Sequence, residues 1–445
     1  MAKTIRIISQ LYDTKTGRVE LEKTLNTESL KSPKTIKTLG YNHKTQIRIL
    51  QEAQNFKLSQ QEKLINMYDT CPKCGKKNRK QGKFTSPFHA IFTDHELEIQ
   101  RKSCTCGWQS LYTIEGLFGC SLHPELLERQ SLLGANHSFR NGEAILDHES
   151  CKHRSINNDD RIKRTIALVG ETFEAIKKDP AWSKNTKGEK ELIVTVDGGH
   201  LKSKIKGKRS FEAMIATIYS PKSIRTVGKK HRKIISKTSV ASAKKDKQHT
   251  MKQLVVNASK KQGMTRETKI TALTDGACNC WNIIEALSEH SKNVVRILDW
   301  FHIGKLFKMT KHLIPEDQLE LYDKVKWHLW HGHPDTSLIR LNQLKEVLED
   351  EQALTELEGI GNYIINNRKY ITNYHARRLQ GEVYTSSVAE TSVNSLINTR
   401  QKQNQKMQWS RSGAHAILQL RTSLFSKNWK EDWGQAMQGI YKEAA

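Results

Sequence analysis

Two short apolar runs, each ending in an aspartate and separated by a helical stretch, constrain this chain more than any other feature. The first, with Ile270, Ala272 and Leu273, runs into Asp275-Gly276; the second, Val294-Val295-Arg296-Ile297-Leu298, runs into Asp299-Trp300-Phe301-His302. Strand, acid, helix, strand, acid is the pattern of a parallel α/β sheet with carboxylates at the carboxyl ends of its strands. Ligands and chemistry collect at that edge in open α/β sheets. Asp-Gly is also a common turn, so Asp275 gains meaning only from partners elsewhere in the chain.

Upstream, Glu191-Leu-Ile-Val-Thr-Val runs into Asp197-Gly-Gly-His. β-favouring residues meet an acid there, with glycines that let the backbone turn past it. A second strand, Glu212–Tyr219, follows a basic loop (Lys202, Lys204, Lys206, Lys208, Arg209). A third is expected near Lys233–Ala241, after another basic loop (Lys222, Arg225, Lys229, Lys230, Arg232), and a helix from about Lys245 to Gln262 leads into the strand ending at Asp275. Three strands, helix, strand, helix, strand is the RNase-H-like order: a mixed sheet with its first three strands antiparallel and the first and fourth side by side. Asp197 and Asp275, 78 residues apart, are then neighbours. Two such carboxylates repel unless cations bridge them. Hard oxygen ligands select Mg²⁺ or Mn²⁺, and two ions roughly 3.5–4 Å apart suit in-line phosphoryl transfer. That site needs a third carboxylate from a helix packed on the sheet.

Residues 304–383 show helical periodicity throughout and read as an all-helical insertion between the fifth strand and the helix bearing the third acid. From Ser386 to about Asn404 the chain reads as helix, with Glu390, Asn394, Ile397 and Gln401 on one face. Glu390 is the expected third ligand and Glu382 its competitor. Asp299 and His302 are assigned a supporting role beneath the site. The HGH of His331 and His333 reads as a turn after a helix. Trp300, Trp327, Trp330 and Trp409 read as mostly core, with one free to stack on an extruded base.

In the first half of the chain, Cys71-Pro-Lys-Cys74-Gly and Cys104-Thr-Cys106-Gly are two knuckles separated by 29 residues with strand-like Phe84–Phe88 and Leu97–Arg101 between them. A zinc ribbon with structural Zn²⁺ on Cys71, Cys74, Cys104 and Cys106 is expected, since four protein ligands leave no open position for catalysis. Cys120 and His123 are a substitute pair. Residues 124–178 read as helices, the last basic at its start (Arg161, Lys163, Arg164), in the manner of a helix-turn-helix. The expected layout is a basic N-terminal region (1–68), the ribbon (69–123), the helical DNA-binding region (124–182), the first part of the core (190–303), the insertion (304–383), and the rest of the core with C-terminal helices (384–445).

The net charge of +26, from 73 Lys+Arg against 47 Asp+Glu, argues for a polyanionic partner, with double-stranded DNA the first candidate. Lys204, Lys206, Lys229, Lys230, Arg232, Arg400 and Lys402 join Arg161, Lys163 and Arg164 as expected DNA contacts. No run of ~18 apolar residues spans a bilayer, and the first residues lack the apolar core of a signal peptide, so no membrane role and a cytoplasmic, nucleoid-associated location are expected.

Asp197-Gly-Gly, Asp275-Gly-Ala, Asp299-Trp-Phe-His302 and the series Ser387-Val-Ala-Glu390-Thr, Arg400, Met407-Gln-Trp409-Ser410, Gly413-Ala414 resemble the DDE transposases of bacterial insertion sequences. The likeness is to the Mutator-related groups with a D/C-x-x-H motif, and within them the Kra-type elements. It covers residues from about 190 to 433, more weakly the zinc and helical region, and leaves the first 60 residues outside. The resemblance implies Asp197, Asp275 and Glu390 as metal ligands, the same helical insertion, binding to terminal inverted repeats and target DNA, strand cleavage and transfer, and a homodimer or larger assembly. An RNase-H-like nuclease or resolvase without strand transfer, and a domesticated DNA-binding protein, are the alternatives.

Overall fold

The computed structural model describes residues 3–150, 155–183, 187–227, 231–387, 394–402 and 407–443. They divide into two compact units, one of Met1–Ile166 with Gly434–Ala445 and one of Ala167–Trp433.

The first unit opens with an antiparallel hairpin, β1 (Lys3–Tyr12) and β2 (Val19–Leu30), turned at Gly17 in a left-handed conformation. Helix α1 (His43–Met67) is capped by Asn42, whose side chain accepts from Thr45 N. A second hairpin, β3 (Arg79–His89) and β4 (Asp94–Ser103), joins the two cysteine knuckles. Short α2 (Ile114–Phe118) follows, then α3 (Pro124–Asn136), α4 (Phe139–Ser150) and α5 (Asp159–Lys178), which runs on into the second unit. Leu126 and Leu127 of α3 and Ile162 and Ile166 of α5 are fully or almost fully buried, and a Cβ on Gly134 would come within 2.7 Å of Ile166, so the two helices meet at close range.

The second unit is a mixed α/β structure around a five-stranded sheet. Its strands are β5 (Glu191–Lys202), β6 (Ser210–Tyr219), β9 (Thr238–Ser242), β10 (Lys269–Thr274) and β11 (Asn293–Leu298), in the spatial order β11-β10-β5-β6-β9. β6 is antiparallel to both β5 and β9, while β10 is parallel to β5 and to β11. The expected third strand divides: a separate hairpin of β7 (Ile224–Val227) and β8 (His231–Ile234) forms first, and only Thr238–Ser242 enters the sheet. The lysines and arginines of β7 and β8 suit a solvated ribbon, whereas β9 is buried along its length.

Alternation along β5 sends Leu192, Val194 and Val196 to one face, where α6 (His249–Lys261) and α7 (Cys278–Ser288) pack, with Trp182 beside them. Ile193 points to the other face, into a core completed by α8 (Trp300–Thr310), α9 (Leu319–Trp330), α10 (Pro334–Glu346), α11 (Glu351–Asn367) and α12 (Tyr374–Leu379). α13 (Arg411–Phe425) lies against β9, with Gln419 Nε2 donating to Ala241 O at 2.8 Å and Ser239 N donating to Ser426 Oγ at 2.8 Å. α14 (Trp429–Ile440) closes the chain. The HGH segment is a turn after α9, as expected, with Gly332 at φ +77° and its Cα backed against Asn373. Of the four tryptophans, Trp327 is 55% exposed and Trp409 is buried. No helix of the described residues is long and apolar enough to cross a membrane.

Candidate functional site

Register brings three aspartates into one row. β10 pairs with β5 up to Thr274 opposite Val196, and with β11 up to Thr274 opposite Leu298. The next residue on each strand is Asp275, Asp197 and Asp299, so the row crosses three adjacent parallel strands, at the carboxyl ends of β10 and β11 and part-way along the longer β5. Asp197 shares the parity of Ile193 and lies on the face covered by α8 to α12.

The three carboxyls are in different electrostatic circumstances. Burial, and then the like charges of Asp275 and Asp299, raise the pKa of Asp197 against the opposing pull of His302 and the Gly198 amide. Asp275 is partly buried, and its Oδ1 accepts from Ala277 N at 3.0 Å. α11 grips the turn that carries it. Tyr363 Oη donates to Asp275 O at 2.8 Å, and Asn367 sits so close to Gly276 (φ +93°) that a Cβ there would meet its Oδ1 at 2.5 Å.

Asp299 is fully buried, and all its acceptor positions are filled. Oδ1 receives Phe301 N at 3.1 Å, capping α8, and Ser386 N at 2.8 Å; Oδ2 receives His302 Nδ1 at 2.9 Å and the Ser386 hydroxyl. A carboxylate offers about four lone-pair sites, so Asp299 keeps none for a metal. It works as a clamp. It fixes the His302 ring through Nδ1 and holds Ser386, four residues before Glu390, against the sheet edge. Burial disfavours charge on His302, but the bond to Asp299 and the fields of Asp299, Asp197 and Asp275 outweigh it and raise the ring's pKa.

Glu390 lies outside the described residues, as do Lys229 and Lys230. Its competitor Glu382 is at the wrong end of the sheet. Glu382 bonds Lys269 Nζ at 2.8 Å and Arg377 at 2.9 Å, and Lys269 opens β10 while Asp275 follows its end, about 20 Å away at ~3.3 Å per residue. The Lys269 bond leads the causes that lower the pKa of Glu382, so this carboxylate is already neutralised by partners.

Sequence reasoning missed Glu212. On β6 opposite His200, it receives Asn279 Nδ2 at 2.6 Å, and a Cβ on Gly198 would meet its Oε1 at 2.3 Å. Gly198 is therefore the gap that admits this acid, on the face of the sheet that α6 and α7 cover, opposite to the face Asp197 shares with Ile193. An isolated Glu at the start of an apolar strand carries no such signal; only the pairing reveals it.

The other metal candidate is the ribbon. The Sγ atoms of Cys71, Cys74, Cys104 and Cys106 all lie within 4.8 Å of one another, so the four could hold a zinc ion. Among the described residues this is the one group of three or more ligand atoms that converges so closely, and Cys120 and His123 are not part of it. Gly75 (φ +71°) and Gly107 (φ +87°) close the two knuckles, donating to Cys71 O at 2.8 Å and Cys104 O at 3.0 Å. The amide of Cys106, aided by the neighbouring thiols, draws the Cys104 thiol down to about 6. The Lys76 amide favours the Cys74 thiolate, yet the other three thiols push it up to about 12. A metal here binds the thiolate forms, so its binding releases protons.

The expected DNA contacts divide. Lys163, Arg164, Lys204, Lys206, Arg232 and Lys402 are exposed, and Arg161 is partly so. Arg400 is not at the surface. It is fully buried, its guanidinium 5.2 Å from the Trp409 ring centroid, and burial lowers its pKa to about 10. A cation enclosed in this way packs the fold and does not touch a phosphate.

Compared with known proteins, the chain matches no family model and no curated sequence.

Proposed function

We propose that the chain is a transposase of the DDE kind, cutting DNA at the ends of a mobile element and joining the freed strand to target DNA. Its catalytic carboxylates are Asp197, Asp275 and Glu390, on an RNase-H-like core. The observation that carries this reading is the acidic row, with Asp197 and Asp275 in adjacent register on neighbouring parallel strands. The order β11-β10-β5-β6-β9, with β6 the one antiparallel strand, supports the same core.

The donors present suit a hard divalent cation: carboxylate oxygens, one of them with a pKa raised by burial and by its acidic neighbours, a surplus of negative charge that Mg²⁺ or Mn²⁺ relieves. Asp197, Asp275 and Glu390 would hold the ions, whose chemistry would be to lower the pKa of an attacking water or 3′-hydroxyl and to stabilise the leaving oxygen. The chain's own groups do the positioning. Asp299 anchors the segment leading to Glu390 and presents the His302 ring, with its raised pKa, beside the row. Tyr363 and Asn367 fix the turn of Asp275. Lys204, Lys206, Arg232 and Lys402 supply exposed charge for duplex phosphates, and the zinc ribbon with Arg161, Lys163 and Arg164 is assigned to the element's ends. Holding two ends together calls for a dimer or larger assembly.

The test uses full-length protein with duplexes carrying the sequences that flank the gene, with and without Mn²⁺. Asp197→Ala, Asp275→Ala and Glu390→Ala are each expected to abolish cleavage while leaving duplex binding intact. Cleavage without joining of pre-cut ends would reassign the chain as a nuclease, and binding without cleavage by the native chain would defeat the enzymatic reading.

A further inference from the structure

At the far end of β5 from its pairing with β10, a small cavity of about 70 Å³ opens under the loop between β5 and β6. Its polar lining is Ser203, Lys208, Ser210, Lys245 and Arg411, and it holds no acid. Three separate segments contribute the cations: Lys208 from the loop, Lys245 from the segment between β9 and α6, and Arg411 from the first turn of α13.

The cavity is built rather than incidental. Lys208 N donates to Ile205 O at 3.1 Å and Ser203 N to Arg209 O at 3.2 Å, with Gly207 at φ +81° turning the loop. Lys204 N donates to Trp409 O and Trp409 N to Lys202 O, both at 2.9 Å, tying the loop to the strand entering α13. The Arg411 guanidinium is fixed by donation to Ala243 O at 2.9 Å and by the Phe211 ring 4.8 Å away. Among the described residues none of the three cations has a carboxylate within 4.0 Å. The adjacent Asp246 is turned away, accepting Thr250 N at 2.9 Å. The positive end of α13 adds to the field.

Three converging cations without counter-charge favour an anion, and the volume, on the order of two waters, admits a phosphate but not a base. We propose that this cavity holds one backbone phosphate of the DNA strand engaged at Asp197, an assignment that rests on the functional reading above. Ser203 lies six residues past Asp197, roughly 20 Å at ~3.3 Å per residue. A B-form strand rises ~3.4 Å per phosphate. Because successive phosphates also wind around the duplex axis, with about 10–10.5 base pairs per turn, a straight span of that length covers only a few nucleotides, which makes the cavity a ruler for the strand as well as a grip.

The test uses full-length, zinc-loaded protein. Inorganic phosphate is expected to protect Lys208 and Lys245 from acylation, read by mass spectrometry; absence of protection overturns the cavity as an anion site. With a bound duplex, the exposed-residue variant Lys208→Gln/Lys245→Gln is expected to bind about tenfold more weakly, with the slope of log affinity against log salt reduced by about one. A single neutral methylphosphonate is expected to weaken binding most at one position a few nucleotides from the cleaved bond, and to have no effect there on the variant. Phosphate protection with an unchanged salt slope overturns the DNA assignment in favour of a free anion. Native protein that binds no duplex defeats the functional reading itself, a result distinct from native protein that binds and cuts normally while the variant does the same.

Discussion

Asp299→Asn tests the clamp at nearly constant shape. In the native chain each carboxylate oxygen accepts two bonds, one pair from Phe301 N and Ser386 N, the other from His302 Nδ1 and Ser386 Oγ. The amide keeps the first oxygen and replaces the second with a donor. The serine hydroxyl can rotate to accept, and the histidine can switch tautomer, so two charge-assisted bonds become two neutral ones. Bonds to charged groups contribute about 1.5–3 kcal/mol and neutral ones about 1, giving a loss of roughly 1–4 kcal/mol. Asp299→Ala, which leaves the buried Ser386 groups unpaired, should cost about 3–5 kcal/mol. Because the folded pKa of His302 is raised, its stabilisation is fully present below its unfolded value near 6.5 and is lost as pH rises through the folded value. The penalty for Asp299→Asn should therefore be larger at pH 5.5 than at pH 9. Urea unfolding at the two pH values measures it, with the His302 ring followed by NMR. A loss below about 0.5 kcal/mol, or one equal at both pH values, would refute the clamp.

Asp197→Asn should stabilise the metal-free chain at neutral pH, since a carboxyl with a raised folded pKa costs stability as pH climbs past its unfolded value toward the folded one. A Tm gain of a few degrees is expected, together with loss of any Mn²⁺-dependent rise in Tm. Gly276→Ala should cost about 2–3 kcal/mol by denaturant unfolding, because Ala must adopt φ +93° and displace Asn367. Elemental analysis should find one zinc per chain, lost in Cys71→Ser. Acidification should release the metal, as protons compete with zinc for the four thiolates.

What could be read from the sequence was local. The runs before Asp275 and Asp299 announce strands that end in acids, and the knuckles announce themselves by spacing; the run before Asp197 announces a strand too, but its glycines do not turn the backbone, and β5 continues past the acid to Lys202, paired with β6. The neighbourhood of Asp197 and Asp275 followed only from assuming a strand order, which the pairing of β5 with β10 now supplies. Partners from distant segments left no trace: Ser386 on Asp299, Tyr363 and Asn367 on the Asp275 turn, and Glu212 over Gly198 each look like ordinary surface residues of a helix, loop or strand. Arg400 misled for the opposite reason. Charge places an arginine at the surface by default, and nothing nearby in sequence announces the Trp409 ring that encloses it. The β7–β8 hairpin was hidden because its basic residues merge with the loop they interrupt.

The grip of α11 on the Asp275 turn bears on how such a chain can vary. A helical segment inserted between two strands could in principle be a removable module, traded or trimmed without touching the chemistry. Here Tyr363 and Asn367 hold the backbone of Asp275, the residue proposed as a metal ligand, and the apolar side chains of α8 to α12 roof one face of the sheet. A shortened chain that joined residue 303 directly to residue 384 would lose the roof and the grip together. Miniaturisation of this protein must therefore start from its other edges, because the helices are part of the scaffold that aims Asp275.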